Sequence, residues 1–164
     1  MAHHHHHHMK NTVVRIKAEL ENVKRLFCDD EYLWIFNIRD STSSLTRDNI
    51  QFRKTDILEI PNSRGTANFM IKWTEYPKYS TINFVNTKNS CSYEEVNNNE
   101  WRDFASFECR GIELIDFFPS NNFIVEDTKG KLYYDVNLSD QNWCDYNEEH
   151  EMCVGIYNLE YEVN

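Results

Sequence analysis

The sequence has little of what most catalytic sites are built from. Only four of its 164 residues are glycine, and it contains no GxSxG, HExxH or glycine-rich phosphate-binding motif. Six of the seven histidines form the run at positions 3–8, which together with the leading Met-Ala is an expression tag, so the native chain begins at Met9 and carries only His150. These absences argue against histidine-based catalysis, and we expect a non-enzymatic protein, with an enzyme as the last alternative.

Long apolar runs are also missing. The longest are about four or five residues, as in Leu33-Trp34-Ile35-Phe36, too short for a membrane span or a signal-peptide core. The cysteines are odd in number and show no CxxC spacing: Cys28, Cys91, Cys109, Cys144 and Cys153. An odd count without a secretory signal favours free thiols in a reducing compartment. We therefore expect a cytoplasmic protein that does not bind membranes.

One cysteine cluster has spacing compatible with a metal. Cys144-x5-His150-x2-Cys153 supplies three soft ligands, and Asp145 is a candidate fourth for a tetrahedral zinc. Against this, Cys153 precedes an alternating apolar stretch, where a cysteine commonly packs as a small buried hydrophobe. Zinc binding or metal handling by the remaining cysteines and His150 is therefore an alternative function.

Positive charge is absent from the C-terminal part of the chain, which has no Lys or Arg after Lys131. The same part carries eight of the acids behind the net charge of −10: Asp135, Asp140, Asp145, Glu148, Glu149, Glu151, Glu160 and Glu162. Phosphates would be repelled, so we expect no nucleic-acid partner. The acidic region is either a solvated face that favours solubility, a docking surface for a basic protein partner, or a weak cation site.

Apolar residues recur with a period of two. Val14, Ile16, Ala18 and Leu20 alternate with charged residues, and the same pattern recurs at 67–73 and 157–163. Further predicted strands are 32–39, 51–60, 80–85, 104–110, 113–118 and 132–138, with a short helical turn at 139–143. About nine short strands predict one all-β domain over 9–164, an antiparallel β-sandwich or barrel.

A weak internal repeat is visible. Residues 18–23 resemble 107–112, and each segment contains a residue that tolerates positive φ, Asn22 or Gly111. Residues 34–38 also resemble 134–138. Two pseudo-symmetric β halves, about 9–95 and 100–164, would explain both matches, and chance similarity between β-rich segments is the alternative.

Several motifs together identify a family. They are Phe107-Glu108-Cys109-Arg110-Gly111-Ile112-Glu113-Leu114-Ile115-Asp116-Phe117-x-Pro119, Asp135-Val136-Asn137-Leu138, Trp143-x-Asp145-Tyr146, Val154-Gly155-Ile156-Tyr157, Lys17-Ala18-x-Leu20-Glu21-Asn22-Val23 and Arg64-Gly65. The chain resembles the eukaryotic CXXC-motif-containing zinc-binding proteins over effectively its whole native length. The resemblance implies a zinc held by two CxxC pairs in the first half.

The ligand positions implied by this resemblance hold no cysteine. They correspond to Asp40, Ser43, Trp73 and Tyr76, which are not a zinc ligand set. The resemblance thus implies a zinc-binding ancestry, and the residues predict that no metal or other cofactor is bound. Either Trp73 and Tyr76 form an aromatic plug in place of the metal, or the former zinc turns are now ordinary loops.

The resemblance also favours a binding or adaptor module. Arg110, Asp116, Trp143, Asp145 and Tyr146 are the candidate binding surface, because exposed aromatic and arginine side chains often anchor interfaces. The alternative is structural, with Trp143 in the core and Arg110 paired with Asp116 or a turn carbonyl. We expect a monomer whose partner is a protein.

Overall fold

The computed structural model describes residues 8–75 and 78–164, and among these it contains no α-helix. The only helical element in this part is a 3₁₀ turn at Glu95–Asn97. The strands are β1 (Met9–Glu21), β2 (Val23–Phe27), β3 (Trp34–Asp40), β4 (Thr46–Phe52), β5 (Leu58–Glu59), β6 (Thr66–Ala67), β7 (Phe69–Ile71), β8 (Ser80–Val85), β9 (Ser92–Glu94), β10 (Arg102–Arg110), β11 (Ile112–Phe117), β12 (Phe123–Asp127), β13 (Leu132–Val136), β14 (Trp143–Asn147) and β15 (Met152–Val163).

These strands form one large and three smaller sheets. The large sheet has the order β14-β15-β1-β10-β8-β7, and the smaller ones are β11-β3-β4, β13-β12-β2-β9 and β5-β6. Every strand pair is antiparallel. The prediction of an all-β antiparallel fold is therefore confirmed.

The segments with alternating apolar residues form strands because this spacing places their apolar side chains on one face. In β1, Val14, Ile16 and Ala18 are buried while the residues between them are only half-buried, so one face of the strand packs on the core. The helical turn expected at 139–143 is wrong. The Ser139 amide instead donates to Asn137 Oδ1, 2.9 Å away, and the chain then enters β14 at Trp143. The strand expected at 51–60 is interrupted, because Arg53 and Asp56 form a turn between β4 and β5.

The core is a cluster of aromatic rings centred on Trp34, which is 2% exposed. Its indole contacts Tyr32 edge-on, with 4.6 Å between ring centroids, and Phe107 edge-on at 5.1 Å. Phe36, Phe84, Phe104 and Phe117 complete the ring contacts of Trp34. Edge-to-face aromatic pairs contribute about 0.5–1.5 kcal/mol each beyond their buried area, so this cluster holds the sheets together.

Apart from β5, β6 and β9, the sheet topology is symmetric. The order of the large sheet, read from its other edge, is unchanged when each strand is exchanged with its counterpart in the other half. The counterparts are β1 and β10, β2 and β11, β3 and β12, β4 and β13, β7 and β14, and β8 and β15. The same exchange converts β11-β3-β4 into β2-β12-β13. Asn22 and Gly111, which lie at equivalent strand junctions, both have positive φ, 54° and 75°. The match of 34–38 with 134–138 is wrong, because these segments lie on β3 and at the end of β13, whereas the topological equivalent of β3 is β12.

Among residues 8–75 and 78–164, the structure contains no helical segment that could span a membrane.

Candidate functional site

The two turns that the family resemblance assigns to zinc lie side by side. Asp40 ends β3 and Trp73 follows β7 by two residues. The Ser41 amide and the Trp73 indole Nε1 both donate to the Gly111 carbonyl oxygen, at 3.1 and 3.2 Å. These turns also line one groove of about 700 Å³. Tyr76, the fourth residue at the ligand positions, lies outside the described residues.

The polar groups at these positions bond within the protein. Asp40 is 6% exposed, and its carboxylate accepts the Thr42 amide at 3.1 Å, the Thr42 hydroxyl at 3.2 Å and the Ser43 hydroxyl at 2.7 Å. Trp73 is half-buried against the core and presents an N–H donor rather than a lone pair. One carboxylate already holding three donors, beside a hydroxyl and an indole, does not fit zinc.

The second half of the chain contains an equivalent turn at Asp127. In both turns the residue after the aspartate donates its amide to the carbonyl of the positive-φ residue, Gly111 at 3.1 Å or Asn22 at 3.0 Å. The following residue donates its amide to the aspartate carboxylate, at 3.1 Å for Asp40 and 2.8 Å for Asp127. Asp127 is therefore the structural counterpart of Asp40.

In the second half a buried hydrogen-bond network joins the two strand ends. Asp127 is 0% exposed, and its Oδ2 accepts the Tyr133 hydroxyl and the Asn147 Nδ2, both at 2.8 Å. Asn147 ends β14, which is the counterpart of β7, so this contact corresponds in position to the pair of first-half turns that the family resemblance assigns to zinc. Oδ1 accepts the amides of Lys129 and Lys131.

The electrostatics of this carboxylate follow from those bonds. Burial tends to raise the pKa of Asp127, but the donors from Asn147, Tyr133 and the backbone outweigh burial and hold the pKa below its ordinary value. Burial and the neighbouring carboxylate raise the pKa of the Tyr133 hydroxyl. Neither Asp127 nor Asn147 was among the candidate site residues predicted from the sequence. A signal that could have found Asp127 is the recurrence of an aspartate followed by a hydroxyl residue at a strand end, Asp40-Ser41 and Asp127-Thr128.

The candidate metal cluster in the C-terminal hairpin is spread over an exposed surface. Cys144 and Cys153 are both exposed, so the expectation that Cys153 packs as a buried hydrophobe is wrong. The His150 side chain is 39% exposed in the β14–β15 turn, with its Nε2 3.9 Å from Glu149 Oε1. Among the described residues, no three His, Cys, Asp or Glu side chains lie close enough to hold a metal ion.

The two exposed thiols lie on either side of a tyrosine. Cys144 is opposite Gly155 in the β14–β15 pair, and Cys153 is two residues before Gly155 on the same face. The Tyr157 ring lies over Gly155, and its hydroxyl donates to Glu21 Oε1 at 2.9 Å. This hydrogen bond, with burial, raises the pKa of Tyr157 to about 12.

The five candidate binding residues do not form one surface. Arg110 lies opposite Met9 at one end of β1, whereas Trp143 pairs with Ile156, which lies opposite Leu20 near the other end. At about 3.3 Å per residue, these positions are separated by roughly 35 Å. Asp116 is on β11, where it accepts a hydrogen bond from Asn37 at 3.0 Å, and among the described residues it forms no ion pair with Arg110.

The other three candidates share β14, an edge strand of the large sheet. Trp143 is half-buried and contacts Tyr133 edge-on at 5.4 Å, so it links this edge to β13. The Asp145 carboxylate accepts the Tyr146 amide at 2.7 Å, and the Tyr146 side chain is 46% exposed. β14 therefore presents an acidic and aromatic edge to solvent.

Comparison with known proteins places the chain among relatives of similar length. Residues 13–164 match the family described as "CXXC motif containing zinc binding protein, eukaryotic". The chain is 28% identical to the Bos taurus protein of that name over 152 residues, covering 91% of this chain and 94% of the relative. It is 29% identical to a UPF0587 protein of Schizosaccharomyces pombe, covering 95% and 99%. The crystal structure of C1orf123 superposes with a TM-score of 0.85 at 25% identity, covering 94% of this chain and 99% of that one.

Proposed function

The chain belongs to the eukaryotic family of CXXC motif containing zinc binding proteins, and we propose that it is a non-enzymatic binding module of that family whose fold closes without zinc. The proposal that the fold does not need zinc is supported by the first-half turns, where the Ser43 hydroxyl donates to Asp40 and the Trp73 indole donates to Gly111. The proposal for binding rests on a different part of the molecule, the acidic end of the C-terminal hairpin. We propose a monomeric, cytoplasmic adaptor.

The observation that carries the binding proposal is an exposed group of carboxylates, which we call the acidic end. It lies at the β14–β15 turn and consists of Asp145, Glu148, Glu149 and Glu151. Among the described residues, none of the four forms an ion pair with Lys or Arg, and only Glu149 approaches His150. Uncompensated charge of one sign attracts a partner of the opposite sign and accelerates its association.

The acidic end also offers aromatic contacts. Tyr146 on β14 and Tyr134 on β13 are 46% and 64% exposed. Both strands are sheet edges, and the contact between Tyr133 and Trp143 brings those edges together. Tyrosine faces bind ammonium and guanidinium groups by cation–π attraction. The chemistry therefore favours a basic protein segment, rich in Lys or Arg, as the partner.

A charge-matched pair of variants tests this proposal. Glu148→Gln, Glu149→Gln and Glu151→Gln neutralise the acidic end, and the control Asp48→Asn, Glu59→Gln and Glu95→Gln neutralises three exposed carboxylates elsewhere. Fluorescence anisotropy with a set of Lys- and Arg-rich peptides containing an aromatic residue measures affinity at low and high salt. We expect binding that weakens with salt, falls in the first variant and persists in the control.

Two results would contradict the proposal. Equal loss of affinity in both triple variants would mean that the peptides respond to net charge and not to the acidic end. An absence of measurable binding for every basic peptide at low salt would remove the basic partner from the account.

Metal handling is the second candidate function, because the exposed thiols of Cys144 and Cys153 share one face of the β14–β15 pair. Soft thiolate ligands suit zinc and copper(I). Titration of reduced, tag-free protein with zinc and with copper(I), compared with Cys144→Ser/Cys153→Ser, tests it. Metal binding that the double variant retains would exclude these two thiols.

A further inference from the structure

Cys28 and Cys91 form a pair of facing thiols distinct from the acidic end and from the former zinc turns. Cys28 follows β2 directly and Cys91 directly precedes β9. The antiparallel register of these strands pairs Leu26 with Tyr93 and Phe27 with Ser92, so one further step sets Cys28 opposite Cys91. The Cys28 amide donates to the Cys91 carbonyl oxygen at 3.1 Å, which fixes this alignment.

The geometry of this pair is suitable for a covalent link. Residues directly opposite in antiparallel strands have Cα atoms about 4.5–5.5 Å apart, within the range of about 4.4–6.8 Å seen across disulfides. The Cys91 side chain also lies close enough to Cys28 to raise the pKa of the Cys28 thiol. We propose that Cys28 and Cys91 are a thiol–disulfide redox pair, which small disulfides such as glutathione disulfide oxidise to an intramolecular disulfide.

The surroundings assign different roles to the two thiols. Cys28 is 8% exposed, whereas Cys91 is half-buried and can meet a solute. Burial and the neighbouring Cys91 thiol raise the pKa of Cys28 well above its ordinary value, so Cys28 is a poor initial nucleophile. Cys91 therefore reacts first and Cys28 resolves the intermediate.

The reaction consists of two exchange steps. The Cys91 thiolate attacks one sulfur of glutathione disulfide, breaking its S–S bond, and the departing glutathione thiolate takes up a proton. Cys28 then gives up its thiol proton to solvent and attacks the Cys91 sulfur, which breaks the mixed disulfide and expels the second glutathione as a thiolate that takes up a proton from solvent. Two protein thiols are oxidised to one disulfide, and one glutathione disulfide is reduced to two glutathione molecules.

The backbone at Cys91 is arranged for this pairing. Cys91 has a φ of 60°, in the left-handed region, and its amide donates to the Phe104 carbonyl oxygen at 2.6 Å. The strained residue is thereby held against β10 while its carbonyl bonds to Cys28. A disulfide here would fix the edge strand β9 to β2 without requiring strand movement.

The test uses full-length, tag-free protein in a Cys144→Ser/Cys153→Ser background, so that the exposed thiols do not interfere. The reduced protein is equilibrated with defined ratios of glutathione to glutathione disulfide, alkylated, digested without reduction and analysed by mass spectrometry. We expect a linked peptide pair containing Cys28 and Cys91, a loss of two free thiols and a loss of two hydrogen atoms in the intact mass. The oxidised form should also melt at a higher temperature than the reduced form.

Single variants separate the roles of the two thiols. In Cys28→Ser, Cys91 should stop at the mixed disulfide with glutathione, and in Cys91→Ser, Cys28 should remain a free thiol. Cys144→Ser/Cys153→Ser protein that accumulates the Cys91 mixed disulfide with Cys28 unmodified, or that keeps both thiols free under oxidising glutathione, would overturn the proposal. The linked peptide is measured on the background protein itself, so the test does not depend on how well a single variant folds.

Discussion

Removing the Asp127 carboxylate should destabilise the protein strongly. Asp127 is fully buried and accepts four hydrogen bonds, from the Tyr133 hydroxyl, the Asn147 amide group and the amides of Lys129 and Lys131. Hydrogen bonds to a charged group contribute about 1.5–3 kcal/mol each, but they are not additive within a network. Because Asp127→Ala leaves buried donors without acceptors, we expect a loss of about 3–5 kcal/mol in the free energy of unfolding.

Urea unfolding of tag-free protein measures this loss, which corresponds to a fall in melting temperature of about 6–20 °C for a chain of this size. The matched control is Asp116→Ala, which removes a strand carboxylate that is exposed and accepts one side-chain hydrogen bond, from Asn37. The control should cost about 0.5 kcal/mol or less. If Asp127→Ala costs no more than Asp116→Ala, the network around Asp127 does not join the strand ends and the reasoning is refuted.

Three further predictions concern pH, the former zinc turn and the C-terminal hairpin. Because the folded-state pKa of Asp127 lies below its ordinary value of 3.8, its contribution to stability is present above that value and is lost as pH falls through the folded pKa. The stability difference between wild type and Asp127→Asn, measured by urea unfolding, should therefore shrink below about pH 4, and a constant difference would contradict this. Trp73→Ala should lower the free energy of unfolding by about 1.5–3 kcal/mol, less than the loss of a core tryptophan, because the ring is half-buried. Trp73→Phe should lower it by less. A loss near zero in Trp73→Ala would show that the ring does not support the turn. In Gly155→Ala the new Cβ would clash with the Tyr157 hydroxyl oxygen, so the Tyr157 ring must move and its hydrogen bond to Glu21 should be lost. Because that hydrogen bond raises the Tyr157 pKa to about 12, ultraviolet titration should show a lower Tyr157 pKa in the variant, and an unchanged pKa would contradict the prediction.

The fold class was predictable because the longest strands alternate. β1 and β15 bury one face each, so their apolar period of two is visible in the sequence. β12 was missed because four of its five residues are buried and its apolar run, Phe123-Ile124-Val125, is too short to show alternation. Asp127 ends that strand and Asn147 ends β14, which was also missed, so the network between them could not be predicted.

A backbone irregularity explains an error in the C-terminal strand. Tyr157 was expected on the same face as Leu159. The register between β1 and β15 shifts between Lys17 and Glu19, and Asn158 has a φ of 53°, so an extra residue reverses the alternation there. Leu159 is buried, whereas Tyr157 lies on the outward face with Cys153. Neither the bulge nor the exposure of Cys153 has a signal in the apolar pattern.

The former zinc turns could be located only through the family resemblance. Composition and spacing alone gave no reason to place Asp40 beside Trp73, because a contact between the β3 and β7 strand ends depends on the sheet order. The structure shows how the residues at these positions bond: Ser43 to Asp40, and Trp73 to Gly111. Trp73 is thus a half-buried indole that joins its turn to Gly111 through one hydrogen bond, and the aromatic plug stays a prediction.

The zinc content of purified, tag-free protein tests the central claim most directly, that this family member folds without its metal. Inductively coupled plasma mass spectrometry on protein expressed in zinc-supplemented medium, before and after dialysis against a chelator, measures zinc per chain alongside the melting temperature. We expect no stoichiometric zinc and an unchanged melting temperature, because a ligand that is not bound contributes nothing to stability. One zinc per chain, with a melting temperature that falls on chelation, would contradict the account and direct attention to Cys144, His150 and Cys153.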